Sequence, residues 1–195
     1  LLTALVYAGL VRLLVVGPGA LTWTEMGVRR VPLPHILGDA IWGATFALPV
    51  IFVTSILAAV LIGGFGTTPD SPLPPSGTAE GFLFNLVSGA IIAPIGEEIF
   101  YRGFALTAWA RTMSPRSAIL RSSIFFALVH ILTVSGETFA EGASQALIAF
   151  AVRLPIALAL GWVFLRRGSL YAAIGLHAAF NGILLLVSQA AAGAG

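Results

Sequence analysis

The stretch GFLFNLVSGAIIAPIGEEIFYRGFALTAW, residues 81–109, is long and apolar enough to cross a bilayer, yet Glu97, Glu98 and Arg102 interrupt it. A spanning helix needs about 20 mostly apolar residues. Charge in hydrocarbon is costly, so such residues face a protein interior or a wet cavity and serve a function there. Two later apolar stretches each carry one histidine, His130 and His177. These residues make the chain a candidate intramembrane enzyme.

Composition agrees with the membrane reading. The 195 residues are 58% hydrophobic and 9% charged. A soluble domain carries about 25% charged residues, so this chain has too little polar surface to cover itself in water. The net charge of +2 does not point to nucleic acid. The ten basic residues are all arginine. Cysteine is absent, which excludes disulfides and thiolate catalysis.

Six apolar segments are expected to cross, at about 1–16, 40–64, 81–110, 117–134, 143–165 and 170–190. Breaker-rich connections separate them, as in GGFGTTPDSPLPPSGT and SGETFAEG. The fold class is therefore all-α, a polytopic transmembrane bundle forming a single domain over residues 1–195. With six crossings, Arg29, Arg30, Arg111, Arg116, Arg121, Arg166 and Arg167 fall on one side. Loops on the other side hold Asp70, Glu80, Glu137 and Glu141. The positive-inside rule makes the arginine side cytoplasmic. Arg12, Arg102 and Arg153 lie within apolar segments and need partners or a route to the interface. Arg153 is expected to pair with an Asp or Glu elsewhere; the other reading is that it guides a substrate carboxylate. His35 reads as an interfacial loop residue. Trp23, Trp42, Trp109 and Trp162 read as belt anchors near helix ends.

Depth brings the polar residues together. At about 1.5 Å of rise per residue, Glu97 and His130 each lie roughly 20 Å from the arginine side, His177 roughly 12 Å and Asn181 roughly 18 Å. Glu98 and Arg102 are i,i+4 and can pair on one helix face, which leaves Glu97, rotated about 100° away, facing the cavity. His177 shares a face with Asn181, and Phe126 with His130. Pro94, followed by Gly96, is expected to kink the third helix and open room for water.

A carboxylate, two imidazoles and a carboxamide around a wet pocket suit peptide-bond hydrolysis. A carboxylate or imidazole takes a proton from water. Asn181, with a histidine, can stabilise an oxyanion. Alternatively Glu97, His130 and His177 could hold a divalent metal such as zinc with a position open for water. Neither HExxH nor a serine-triad signature is present. Each pattern alone has a plain structural explanation: Glu98 with Arg102 as a helix-locking ion pair, His130 as an interior histidine, His177 and Asn181 as polar glue between helices.

In order, EExxxR at Glu97, Glu98 and Arg102, FxxxH at Phe126 and His130, and HxxxN at His177 and Asn181 resemble the CPBP family, also called Abi or CAAX-protease-like. Gly168–Leu170, GSL, also looks like that family. The resemblance covers about residues 81–186, which it marks as the catalytic core. It implies an intramembrane endopeptidase whose site opens toward the cytoplasmic side. Glu97 would activate water with help from His130. His177 and Asn181 would form the oxyanion site, and Glu98, Arg102 and Phe126 would support them. The family is read both as metalloproteases and as glutamate-dependent proteases, and this sequence fits either. Its core has about eight helices against the six counted here, which implies terminal helices outside this chain or a short member.

Expected partners are membrane lipid and a peptide or membrane-protein substrate. The arginine-only, Ala- and Gly-rich composition points to a bacterial cytoplasmic membrane. Two other functions compete: a non-catalytic relative serving as a subunit or assembly partner of a larger membrane complex, and a transporter with a midplane polar site. No inverted repeat supports the transporter.

Overall fold

A computed structural model describes residues 1–69 and 75–193; Asp70 lies outside the described residues. Among the described residues six helices follow one another: α1 Leu2–Val16, α2 Leu33–Phe65, α3 Ala79–Ala110, α4 Pro115–Ile131, α5 Phe139–Arg167 and α6 Leu170–Gly193. Among the described residues there is no strand. Four helices, α2, α3, α5 and α6, have the length and apolarity to cross a membrane. α2 is the clearest case: its apolar window has a mean hydropathy of 2.5 and is only 6% buried. Leu37, Ile41, Leu48, Phe52, Val53, Ile56 and Val60 all point outward. A surface of this kind is stable only in lipid, and the chain is an integral membrane protein.

Local sequence sets the helix ends. Thr78, Ser114 and Thr138 cap α3, α4 and α5: their hydroxyls accept from the backbone N–H groups of Gly81, Ser117 and Glu141. Pro115 fits the first turn of α4, where no intrahelical donor is needed. Gly66 and Gly168 close α2 and α5 in the left-handed conformation. α2 starts at Leu33, seven residues before the expected start near 40, because Pro34 suits its first turn. His35 therefore sits on the exposed first turn of a helix and not in a loop. α2 is interrupted at Thr45–Phe46.

Small residues let the helices touch backbone to backbone. A β-carbon at Gly43 would fall 1.9 Å from the carbonyl oxygen of Ala172, and one at Gly175 would fall 2.1 Å from that of Ala40. The first half of α2 and α6 thus meet reciprocally, the association that lipid permits where apolar side chains give no driving force. α6 also packs on α5, where Leu160, Val163, Phe164, Leu170, Ala173 and Leu176 form the largest apolar core. Gly175→Val would force the two helices apart. Its melting temperature in detergent should fall by several degrees; a melt matching that of the wild type would contradict this contact.

The arginine-side loops gather at one end. Asp39, buried, is held by Arg29 and by Arg167, whose Nε donates over 2.7 Å. Arg111 pairs with Glu25 and donates to the carbonyl of Ala20 at 3.0 Å. The Thr22 hydroxyl and N–H, with Arg111, hold the Glu25 carboxyl below its usual range. The opposite end is tied by Gln189, which accepts from Ser76 N–H and donates to its carbonyl. Trp42 and Trp162 stack on each other beside Phe46, and the guanidinium of Arg167 lies 5.5 Å from the Trp42 ring.

Candidate active site

α3 is not a uniform helix. Two π-helical turns, Ser88–Ile92 and Ile99–Leu106, flank the α-helical Ala93–Glu98 that carries both glutamates. In the first, Ala93 N–H donates to Ser88 O, five residues back. Such widened turns re-aim side chains and recur at functional sites. Pro94, expected to kink this helix, lies in the α-helical segment between the two widened turns. Gly96 instead seats α1 against α3, since a β-carbon there would come within 2.5 Å of the Ala4 backbone.

Glu98 and Arg102 are fully buried and pair at 2.9 Å, Nη1 to Oε1. Arg102 also donates through Nη2 to the Ala157 carbonyl at 3.2 Å. The same Glu98 Oε1 accepts from His177 Nδ1 at 2.8 Å. With that nitrogen protonated and donating to a carboxylate, Nε2 of a neutral His177 carries the lone pair. His130 is oriented in the same sense: its Nδ1–H donates to the Phe126 carbonyl at 2.7 Å, which fixes Nε2 as the acceptor. Phe126 lies between an imidazole and a cation, its ring 4.3 Å from His130 and 4.6 Å from the Arg102 guanidinium carbon.

Both Nε2 atoms face one carboxylate oxygen. Glu97 Oε2 lies 3.9 Å from His130 Nε2 and 3.8 Å from His177 Nε2. These gaps are too long for direct hydrogen bonds. Three acceptors therefore converge on a space that wants hydrogens or a cation. The donor chemistry suits zinc. However, no three His, Asp or Glu side chains among the described residues are arranged to hold a metal ion.

This space belongs to a cavity of about 540 Å³ lined by Glu97, His130, His177, Asn181 and Arg153 among others. Asn181 Nδ2 donates to the Gly89 carbonyl at 2.8 Å, which uses one of its two amide hydrogens. The cavity thus collects residues from α1, α2, α3, α4, α5 and α6. Other lining residues, Thr54, Ser88 and Phe180 among them, carry no sequence signal of their place here. Thr54 and Ser88 place buried hydroxyl oxygens in its wall with no protein partner among the described residues. Phe180 closes it one turn from His177. A lone Ser or Thr in an apolar helix carries no signal of this. A second groove of about 490 Å³, between α1 and α3, is lined almost wholly by apolar side chains and holds no acid.

Arg153 lines the cavity and, contrary to expectation, makes no direct ion pair with an Asp or Glu among the described residues, although the Glu97 charge acts on it; its Nη1 donates to the Ala149 carbonyl at 2.8 Å. The cavity lining also includes Leu1, Thr3, Thr133 and Leu184, which lie toward the helix ends away from the arginine loops. α4 is short on that side and ends at Ile131, one residue past His130. The cysteine-free chain allows a clean check. An impermeant maleimide should label Thr133→Cys from the face that labels Glu137→Cys, and Arg166→Cys from the other. Labelling of Thr133→Cys and Arg166→Cys from one face would contradict the assignment.

A family model described as type II CAAX prenyl endopeptidase Rce1-like matches residues 79–183, more than half of the chain. The chain belongs to this family. The match begins at the first turn of α3 and ends two residues past Asn181, so it spans all three motifs. This is the CPBP family that the motifs resemble, and it is a family of membrane proteases. No curated protein and no solved structure matches the chain.

Proposed function

We propose that the protein is an intramembrane endopeptidase that hydrolyses a peptide bond of a membrane-associated protein or peptide. One observation carries the reading: the Glu97 carboxylate stands between two imidazoles whose protons are already committed elsewhere. A water molecule donating to Glu97 and His130 Nε2 would be polarised for attack. Glu97 takes its proton as general base. The hydroxide oxygen then bonds to the scissile carbonyl carbon.

The oxyanion needs donors. Asn181 keeps one free amide hydrogen. His177 has none on Nε2 while neutral, so it contributes only once protonated, and Glu98 behind it stabilises that imidazolium. A carboxylate that orients and backs an imidazole is the logic of hydrolytic triads. Glu97, now protonated, returns its proton to the departing amine, and the C–N bond breaks. The unpartnered hydroxyls of Thr54 and Ser88 suit the backbone groups of an extended peptide, which must hydrogen-bond inside an apolar wall.

The arginine-rich loops face the cytoplasm by the positive-inside rule, and the arginine-only composition suits a bacterial membrane. The substrate then reaches Glu97 from the other face or from the lipid. To test the function, Glu97→Gln in its native membrane is used to retain bound substrate for mass spectrometry. Wild-type protein should cut what the variant retains. Retained proteins that the wild type leaves intact would favour a subunit or assembly role and overturn the enzyme reading.

A further inference from the structure

We propose that Arg153 is the docking cation for a carboxylate carried by the substrate, either at a chain terminus or on an Asp or Glu side chain. This rests on the cavity being where the substrate lies. Arg153 sits midway along α5 (Phe139–Arg167), roughly 20 Å from either end and so at the centre of the bilayer. A guanidinium at that depth is the most costly residue a spanning helix can carry. Long side chains near a helix end escape by reaching the interface, but from the midpoint that route is closed.

Of the other midplane charges, Arg102 holds Glu98, while Glu97 shares the cavity with Arg153 and attracts it without a direct ion pair. The one hydrogen bond of Arg153 among the described residues goes to the Ala149 carbonyl, one turn back on its own helix. That bond uses Nη1 and holds the side chain along α5. The remaining guanidinium donors stay open to the cavity, since none of the buried unpartnered nitrogens among the described residues belongs to Arg153. A planar fork of free N–H donors matches a carboxylate in two-point geometry, which an ammonium or an amide would not. The cavity thus presents a base and, within reach of its charge, a cation whose remaining donors are open. A substrate carboxylate would answer that cation and set which peptide bond reaches Glu97.

The test uses three fluorescent prenylated peptides: one with a free C-terminal carboxylate, its C-terminal carboxamide, and the carboxamide with one Asp added. Binding is measured to Glu97→Gln in lipid nanodiscs, where no turnover intervenes. The free acid should bind about tenfold more tightly than the carboxamide if the chain terminus is the source. The Asp peptide should recover that affinity if a side chain is. Adding Arg153→Gln should erase the preference and leave carboxamide binding unchanged, while Arg153→Lys keeps part of it. In turnover with Glu97 intact, Arg153→Gln should raise KM for the anionic peptide about tenfold and leave KM for the carboxamide unchanged. Equal binding of all three peptides, at any affinity, would overturn the proposal. So would an equal loss for acid and carboxamide in Arg153→Gln, the mark of a purely structural role. If the preference is present but no peptide is ever cut, the protease reading fails and the anion site stands.

Discussion

Glu97→Gln is expected to lower the cleavage rate by about 10³-fold or more, within the range a positioned general base contributes, and to leave the protein folded. The substitution keeps the side chain's shape and removes its basicity. Stability is spared because, among the described residues, Glu97 makes no hydrogen bond that its loss would orphan; the two histidine nitrogens stand off at 3.8 and 3.9 Å. His130→Ala removes the other acceptor facing the same space and should also abolish measurable cleavage. It loses one bond to the Phe126 carbonyl and a ring contact, so a modest fall in melting temperature should accompany it. Cleavage and thermal unfolding measured on the same preparations check both. Retained cleavage in either variant would remove that residue from the mechanism.

The second large effect concerns the pair behind the site. Glu98 and Arg102 are fully buried, so deleting one partner strands a charge in a medium that cannot solvate it. Arg102→Met should therefore cost about 3–5 kcal/mol, seen as a fall of roughly 10 °C in melting temperature for a chain of this size. Glu98→Leu should do the same, since it leaves Arg102 facing only the Ala157 carbonyl and two aromatic rings. The double variant Glu98→Leu/Arg102→Met should recover much of the stability, because an apolar pair replaces an ionic one without stranding either charge. Activity should not return with it: His177 would still lack the acceptor that fixes its Nδ1 proton. Thermal scans of the two single variants and the double give the coupling energy. Additive losses would show that the pair is not a unit.

Much of this was readable along single helices and little of it between them. Spacing of four placed Glu98 with Arg102 and Phe126 with His130, because one helix fixes its own i,i+4 neighbours. The same rule said nothing of Glu98 with His177, or of Asn181 with Gly89, since those contacts depend on how α6 sits against α3. That register involves the first π-helical turn of α3 and the close approach to it of Gly182 on α6, where an added β-carbon would lie 3.6 Å from that of Ala90. Neither has a sequence pattern that distinguishes it from ordinary apolar helix. The start of α2 was misplaced because Pro32 and Pro34 look like breakers, although proline is well suited to a first turn.

Whether Glu97 directs water onto a peptide carbonyl inside the bundle can be decided by isotope. Wild-type and Glu97→Gln proteins in nanodiscs are given the substrate captured by the variant, in water enriched in ¹⁸O, and the products are read by mass spectrometry. The wild type should yield one new carboxyl terminus bearing a single ¹⁸O, and Glu97→Gln none above background. The same labelled product at a comparable rate from both proteins would rule out Glu97 as the base.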